Sequence, residues 1–485
     1  MKPERSLRLA VMVLALLLPM MAAAAEHAKP APASEASPPM VLAYADRQSL
    51  FPGEMFVLHL AVEEGQTPVR GRVLVSRVGA DHDTLADKVW QGPMVEVQPQ
   101  PLPPLGAAMG MLWEHSKVPV ETAPHWRSGV YLAHFQREDG AIQPAMAVVV
   151  VGNPRRDGQI LLKLDTNTWQ AYNGSGGGSF YAREGLPRRY LPIISFHRPD
   201  KAGLYWAWSH DYVLWLEHFA AQQGLTLDYA TNHDIHQHPE QVDLYPLMIN
   251  LGHDEYWSAE EYAAVERRIH TLGKNTLFLG ANIGYHRVTY LDATDTGTTV
   301  PGAQLLCLPN LRTRPDPNNS LHKSRFRDEG QPESHLLGIA YDNSHFPRGA
   351  HRGEALQVAA ATHRLFTGTG LNQGDKLPGL LGYEWDLIPA PWRWGRTTRP
   401  FLRPGTTLDV LFRGRATNKH NKNVYMHSVY YESQAGAKVF SAGTLQWSWG
   451  LGRPDVRHPG FMRFNANLIR DFLQPLTPPS HPALP

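Results

Sequence analysis

The hexapeptide Gly252-His253-Asp254-Glu255-Tyr256-Trp257 puts an imidazole and two carboxylates directly after the apolar run Leu247 to Leu251. An apolar run that ends in a polar elbow predicts a buried strand delivering side chains from its carboxyl end. Ser258, followed three residues later by Glu261, has the signature of a capping box, so a helix is expected to begin just past the elbow. In open α/β sheets ligands bind where strand ends and helix starts converge. His253 and Glu255 are therefore candidates for acid–base or metal chemistry.

Two other segments repeat the pattern. Ile160 to Leu164 runs into Asp165 and on to Trp169-Gln170-Ala171-Tyr172-Asn173 and the glycine cluster 174–178, and Thr276 to Leu279 runs into Gly280-Ala281-Asn282. If these strands are parallel neighbours, Tyr172, His253, Glu255 and Asn282 face one rim. Other constellations are weaker. The stretch His233-Asp234-Ile235-His236-Gln237-His238 follows a strand, ends at Pro239 and reads as a solvated loop rather than a zinc site. The glycine cluster lacks the Lys-Ser/Thr ending of a phosphate loop, and no Gly-x-Ser-x-Gly elbow is present. Cys307 is the single cysteine and lies in an apolar run, a setting that leaves a thiol inert.

The elements that must position these residues follow from punctuation. Across 485 residues, 46 Lys and Arg against 45 Asp and Glu remove any electrostatic case for nucleic acid or an acidic membrane surface. Residues 1–25 read as a secretory signal peptide, with early Lys and Arg, an apolar core and an Ala-rich exit. An exported, periplasmic or secreted protein without a later spanning segment is expected. A Pro/Ala-rich linker, 26–40, precedes dense short strands over 41–152, which predict an immunoglobulin-like β-sandwich. From 153 to 475 strands alternate with helices, including one over His210 to Gln223 closed by Gly224 and another over Tyr262 to Leu272. This predicts an α/β domain with a mostly parallel sheet. Residues 291–352 give no clear pattern, and 476–485 read as a disordered tail.

The motifs Trp-Gln-Ala-Tyr-Asn (169–173), Asp-Tyr-Ala-Thr (228–231), Gly-His-Asp-Glu-Tyr-Trp (252–257), Gly-Ala-Asn (280–282) and Ala-Gly-Thr-Leu-Gln-Trp (442–447) resemble, in order, the large subunit of N,N-dimethylformamidase and its relatives. The resemblance implies an N-terminal sandwich, a glutamine-amidotransferase-like C-terminal domain, and an amidohydrolase with one iron, ferric in this reading, held by two tyrosines and a glutamate. Carried over by motif, the metal ligands are Tyr131, Tyr172 and Glu255, with His253, Asn282 and Glu384 as catalytic residues. The donors suit a hard trivalent ion, which can acidify water and polarise an amide carbonyl together. A small amide is the implied substrate, with a homo-oligomer or a small accessory subunit as compatible assemblies. The alternative reading is a non-catalytic carbohydrate- or partner-binding protein that keeps the fold.

Overall fold

Short alternating strands in the first part of the chain build two sheets that share one core. Leu42–Ala45, Met55–Ala61 and Lys117–Glu121 form the smaller sheet. Ser49–Leu50, Ala147–Val151, Gly129–Arg137, Val69–Arg77 and Lys88–Gln91 form the larger, with Val95–Val97 paired to Val69–Arg77. Phe56, Leu58, Leu60, Val118 and Val120 of the first meet Val73, Val75, Tyr131, Ala133 and Phe135 of the second. The computed structural model describes residues 39–79, 87–181, 191–200, 203–295, 298–307, 325–341, 354–389, 401–417 and 423–474. The expected signal peptide 1–25, nearly all of the linker 26–40 and the tail 476–485 lie outside the described residues.

The second part is a nine-stranded sheet in the order Leu227–Thr231, Ile160–Leu164, Leu247–Leu251, Asn275–Leu279, Lys438–Ser441, Asn423–Glu432, Asp409–Thr417, Glu354–Val358, Lys376–Leu381. Its first five strands pair in parallel and the remaining pairings are antiparallel. The sheet is thus mixed rather than mostly parallel, and the chain as a whole is a mixed α/β protein rich in strands. The short connections from Thr417 to Asn423 and from Glu432 to Lys438 permit only antiparallel neighbours, because parallel pairing needs a long crossover.

Alternation sorts the sheet's two faces. Leu162, Leu164, Ile249, Leu251 and Leu277 pack with the helices His210–Gln223 and Pro459–Leu473. Leu161, Met248 and Phe278 pack with Ala259–His270 on the other side. The expected helix over His210 to Gln223 has those bounds, and Gly224 ends it in the left-handed conformation at φ 66°. The expected solvated loop at 233–238 is instead largely the helix Asn232–Gln237, because Thr231 and Asp234 form a reciprocal capping box.

The Ser258–Glu261 signature is half realised. Ser258 accepts the Glu261 N–H at 3.2 Å, but the Glu261 carboxylate turns instead to Lys163, a fully buried residue of the strand before the site. Lys163 Nζ also contacts the Asp254 carboxylate and donates to Asn250 Oδ1 at 3.1 Å. Asn232 Nδ2 closes the cluster, donating to Asp254 at 2.9 Å and to Glu261 at 3.0 Å. Burial holds the Glu261 carboxyl above its usual range, against the pull of Lys163. Removing the one cation would leave two buried carboxylates facing each other. Lys163→Met is therefore expected to destabilise the protein by about 3–5 kcal/mol, read from urea unfolding curves; an unchanged midpoint would show that the lysine is not needed to hold the carboxylates.

Candidate functional site

Register brings the strand exits together. Leu164 lies opposite Leu251, and Leu251 opposite Leu279, so Asp165, Gly252 and Gly280 leave the sheet side by side. The chain must pass closely there: a Cβ on Gly280 would stand 1.9 Å from the Gly252 carbonyl oxygen. Gly252 itself has φ 87°, which favours glycine.

The helix Thr166–Tyr172 shapes the elbow with polar side chains along its buried face. Asp165, just before it, accepts the His253 N–H at 3.0 Å. Thr168 Oγ1 accepts the Glu255 N–H at 3.0 Å, and Asn167 Nδ2 donates to the Tyr256 carbonyl at 2.9 Å. A tight turn, in which the Glu255 N–H also donates to the His253 carbonyl at 3.1 Å, sends Asp254 to Lys163 and His253 and Glu255 together to the other side.

Glu255 is 3% exposed and both of its oxygens are engaged by phenols. Tyr172 donates to Oε2 at 2.9 Å and Tyr181 to Oε1 at 2.9 Å. The two rings stack with centroids 4.5 Å apart, and the Tyr256 hydroxyl donates to that of Tyr181. His253 Nε2 stands 3.1 Å from the Tyr172 hydroxyl, 3.4 Å from Glu255 and 3.5 Å from Glu384. Asn282 Nδ2 donates to Glu384 at 2.9 Å. Asn282 holds φ 52°, a conformation uncommon outside glycine, and the Asp386 carboxylate pins its N–H at 3.0 Å. His286 Nε2 lies 3.4 Å from Glu255 Oε1, opposite His253.

Of the expected site residues, Tyr172, His253, Glu255, Asn282 and Glu384 are gathered here. Tyr131 is not. It is 1% exposed in the sandwich core, stacked on Trp126 at 4.7 Å and donating to the Arg127 carbonyl at 2.7 Å. Its strand is buried on both faces: Val130 and Leu132 join the α/β core while Tyr131, Ala133 and Phe135 fill the sandwich. The second tyrosine on the carboxylate is Tyr181, in Ser-Phe-Tyr just after the glycine cluster. His286, paired in register with Tyr256, was also not anticipated. The available signal for both was position, since each follows a glycine-marked exit.

Burial governs the electrostatics. It raises the Glu255 carboxyl against the hydrogen bonds from Tyr172, Tyr181 and Asn282, and raises that of Glu384, with the charge of Glu255 adding to the effect. Burial, reinforced by Glu255, raises both site phenols well above the usual tyrosine range. Burial also lowers the His253 imidazole to about 3, so it is neutral. Two phenols and a carboxylate on one point form a hard, all-oxygen donor set in which a cation could replace phenol protons. Among the described residues no three His, Cys, Asp or Glu side chains group as a metal site, so a metal held here would need the tyrosines among its donors. The donors therefore fit a hard trivalent metal, with Tyr181 in the place expected for Tyr131. A cavity of about 390 Å³ opens against Tyr172, bounded by Trp169, Asn173, Asp200 and Leu204.

A β-sandwich joined to an α/β sheet whose strand exits enclose two tyrosines on one buried glutamate defines an α/β protein with an oxygen-rich centre. The chain belongs to the N,N-dimethylformamidase beta subunit-like family, whose C-terminal model matches residues 72–460. No curated protein matches it. Among solved structures, a Paenibacillus sp. cycloisomaltooligosaccharide glucanotransferase complexed with cycloisomaltoheptaose aligns over 82% of this chain and 70% of its own, at 8% identity and a TM-score of 0.18. A likeness that slight carries no argument.

Asp165 gives the region a pH signature. Burial first, then the charge of Asp254, raises its carboxyl from 3.8 to about 7. The folded protein thus holds a proton that the unfolded chain has released, and this contribution to stability is present below pH 3.8 and lost as pH rises to about 7. Asp165→Asn, although weakened by its misplaced amide, is expected to show a shallower fall of unfolding free energy over that window. Parallel pH profiles for variant and wild type would show that Asp165 does not titrate there.

Proposed function

We propose that this protein is an iron-dependent amidohydrolase acting on a small amide such as N,N-dimethylformamide. The observation that carries the reading is the pair of phenols, Tyr172 and Tyr181, each 2.9 Å from a different oxygen of Glu255. Family membership supports amide hydrolysis, and the cavity beside Tyr172 offers a substrate an approach to the phenol pair. A mononuclear ferric ion held by Tyr172, Tyr181 and Glu255 would supply Lewis acidity toward both a water and the amide carbonyl.

The chain's own groups divide the remaining work. His253, neutral and facing Tyr172, Glu255 and Glu384 through Nε2, can orient the attacking water and stabilise the charge that develops on the carbonyl oxygen. Glu384, whose carboxyl is raised by burial, can hold a proton for the departing nitrogen. Asn282 orients Glu384 from a backbone fixed by Asp386. Water's hydroxyl joins the acyl carbon, the C–N bond breaks, and the remaining proton leaves on the amine. The same reading assigns the sandwich to the immunoglobulin-like class and the α/β domain to the glutamine-amidotransferase-like class. Export through residues 1–25, and a homo-oligomer or small accessory subunit, belong to it as well.

Ligand and transition-state roles separate in two variants. Glu255→Ala is expected to lose most of the bound iron, whereas His253→Ala keeps the metal while its single-turnover rate on N,N-dimethylformamide falls by about 10² or more. Metal analysis and product formation check both. If folded His253→Ala loses iron as completely as Glu255→Ala, the imidazole is a ligand and the two-tyrosine assignment fails. Iron-free wild type with no amidase activity would instead favour a binding protein on the same fold.

A further inference from the structure

The two site tyrosines lie at opposite ends of an irregular loop, and a buried cation holds one side of that loop. Arg198 is 1% exposed. Its guanidinium donates to the carbonyls of Gln170 at 2.5 Å, Asn173 at 2.9 Å, Ser175 at 3.1 Å and Gly178 at 2.9 Å, and its Nε to that of Ser195 at 2.9 Å. Four of these five acceptors belong to the segment that runs from the end of the Tyr172 helix to just before Tyr181. A planar fork of five N–H donors can satisfy such a ring of carbonyls; no other side chain presents that geometry.

The opposite side of the loop is fixed by the sandwich. The Gly176 carbonyl turns outward to accept the Ala107 N–H at 3.2 Å, while its neighbours Ser175 and Gly178 turn inward to Arg198. Gly176 has φ 81°, and a Cβ there would stand 2.4 Å from the Ala107 nitrogen. The contact from the sandwich to the glycine loop is therefore made by the Gly106–Met109 turn, not by the strand that carries Tyr131. With the carbonyls of Asn173, Ser175 and Gly178 on the guanidinium and that of Gly176 on the sandwich, the loop has little freedom to slide.

We propose that Arg198 is a positioning residue that sets the separation and direction of the Tyr172 and Tyr181 hydroxyls by clamping the loop between them. The proposal rests on the two tyrosines acting as metal donors, and its consequence is that the clamp acts on metal binding without touching metal or substrate. It also gives the sandwich a part in the site: with Ala107 outside and Arg198 inside, the loop is held from both directions before any ligand arrives.

The test uses the full-length protein and two readouts. In the metal-free state, hydrogen exchange over residues 173–181 is compared with that of the Ala259–His270 helix; in the iron-loaded state, iron affinity and the tyrosinate-to-ferric absorption band are measured. Arg198→Lys keeps the charge but cannot span the carbonyls, so loop exchange is expected to rise at least about tenfold with the helix unchanged, iron affinity to fall at least about tenfold, and the band to shift. A folded Arg198→Lys with faster loop exchange but wild-type iron affinity and band would make the arginine merely structural and overturn the proposal. Unchanged exchange would overturn it too. Should Arg198→Lys not fold, Gly176→Ala presses on the same loop from outside and is expected to produce the same paired changes; a folded Gly176→Ala matching wild type in both would refute the clamp. If wild type binds no iron, the iron reading fails, while the exchange comparison still decides whether Arg198 clamps the loop.

Discussion

Glu255 cannot be buried alone. Taking a carboxylate out of water costs several kcal/mol unless donors replace the lost hydration, and here two phenols do so, one per oxygen. The rest of the architecture follows from the need to bring those donors to one point. Three parallel strands in register supply the exits. The polar face of the Thr166–Tyr172 helix ties down the elbow's backbone. Lys163 and Asn232 anchor Asp254, so the residue between His253 and Glu255 is fixed on the far side and its neighbours are fixed on the near side.

Much of this was legible in the sequence because it depends on local rules. An apolar run ending in a polar elbow marks a strand exit, and three such exits, read together, placed Tyr172, His253, Glu255 and Asn282 on one rim. Glu384 came only through the resemblance; the structure brings it in because Trp385 bridges to Thr444 beyond the Lys438–Ser441 strand, so the late Ala-Gly-Thr-Leu-Gln-Trp motif supports the site from behind. Tyr131 was misplaced for a physical reason. A strand buried on both faces shows no polar alternation, so nothing in Gly129–Arg137 says which side chains turn toward the α/β domain and which into the sandwich. Tyr181 was missed because it reaches the carboxylate through a glycine-rich turn that has no period to read. The capping box at Ser258 shows a third case, in which a sequence signature was correct for the backbone while its carboxylate answered a stronger demand from a buried lysine.

The sandwich is more than an appendage in this account. Its larger sheet contributes Val130 and Leu132 to the α/β core, and Arg77 makes a buried bidentate pair with Glu217 at 2.7 and 3.0 Å. Its Gly106–Met109 turn meets the glycine loop that separates the two site tyrosines. Packing on one side and hydrogen bonding on the other make the geometry of the donors a property of both parts of the chain.

In the proposed centre Tyr172 and Tyr181, not Tyr131, share Glu255 as donors to one metal. Resonance Raman spectroscopy on the iron-loaded protein, excited within the tyrosinate-to-ferric band, tests it most directly. Wild type should show tyrosinate modes, Tyr131→Phe should keep them unchanged, and Tyr181→Phe should lose part of their intensity and shift the band. Modes altered by Tyr131→Phe and untouched by Tyr181→Phe, with both variants folded, would return the second tyrosinate to Tyr131.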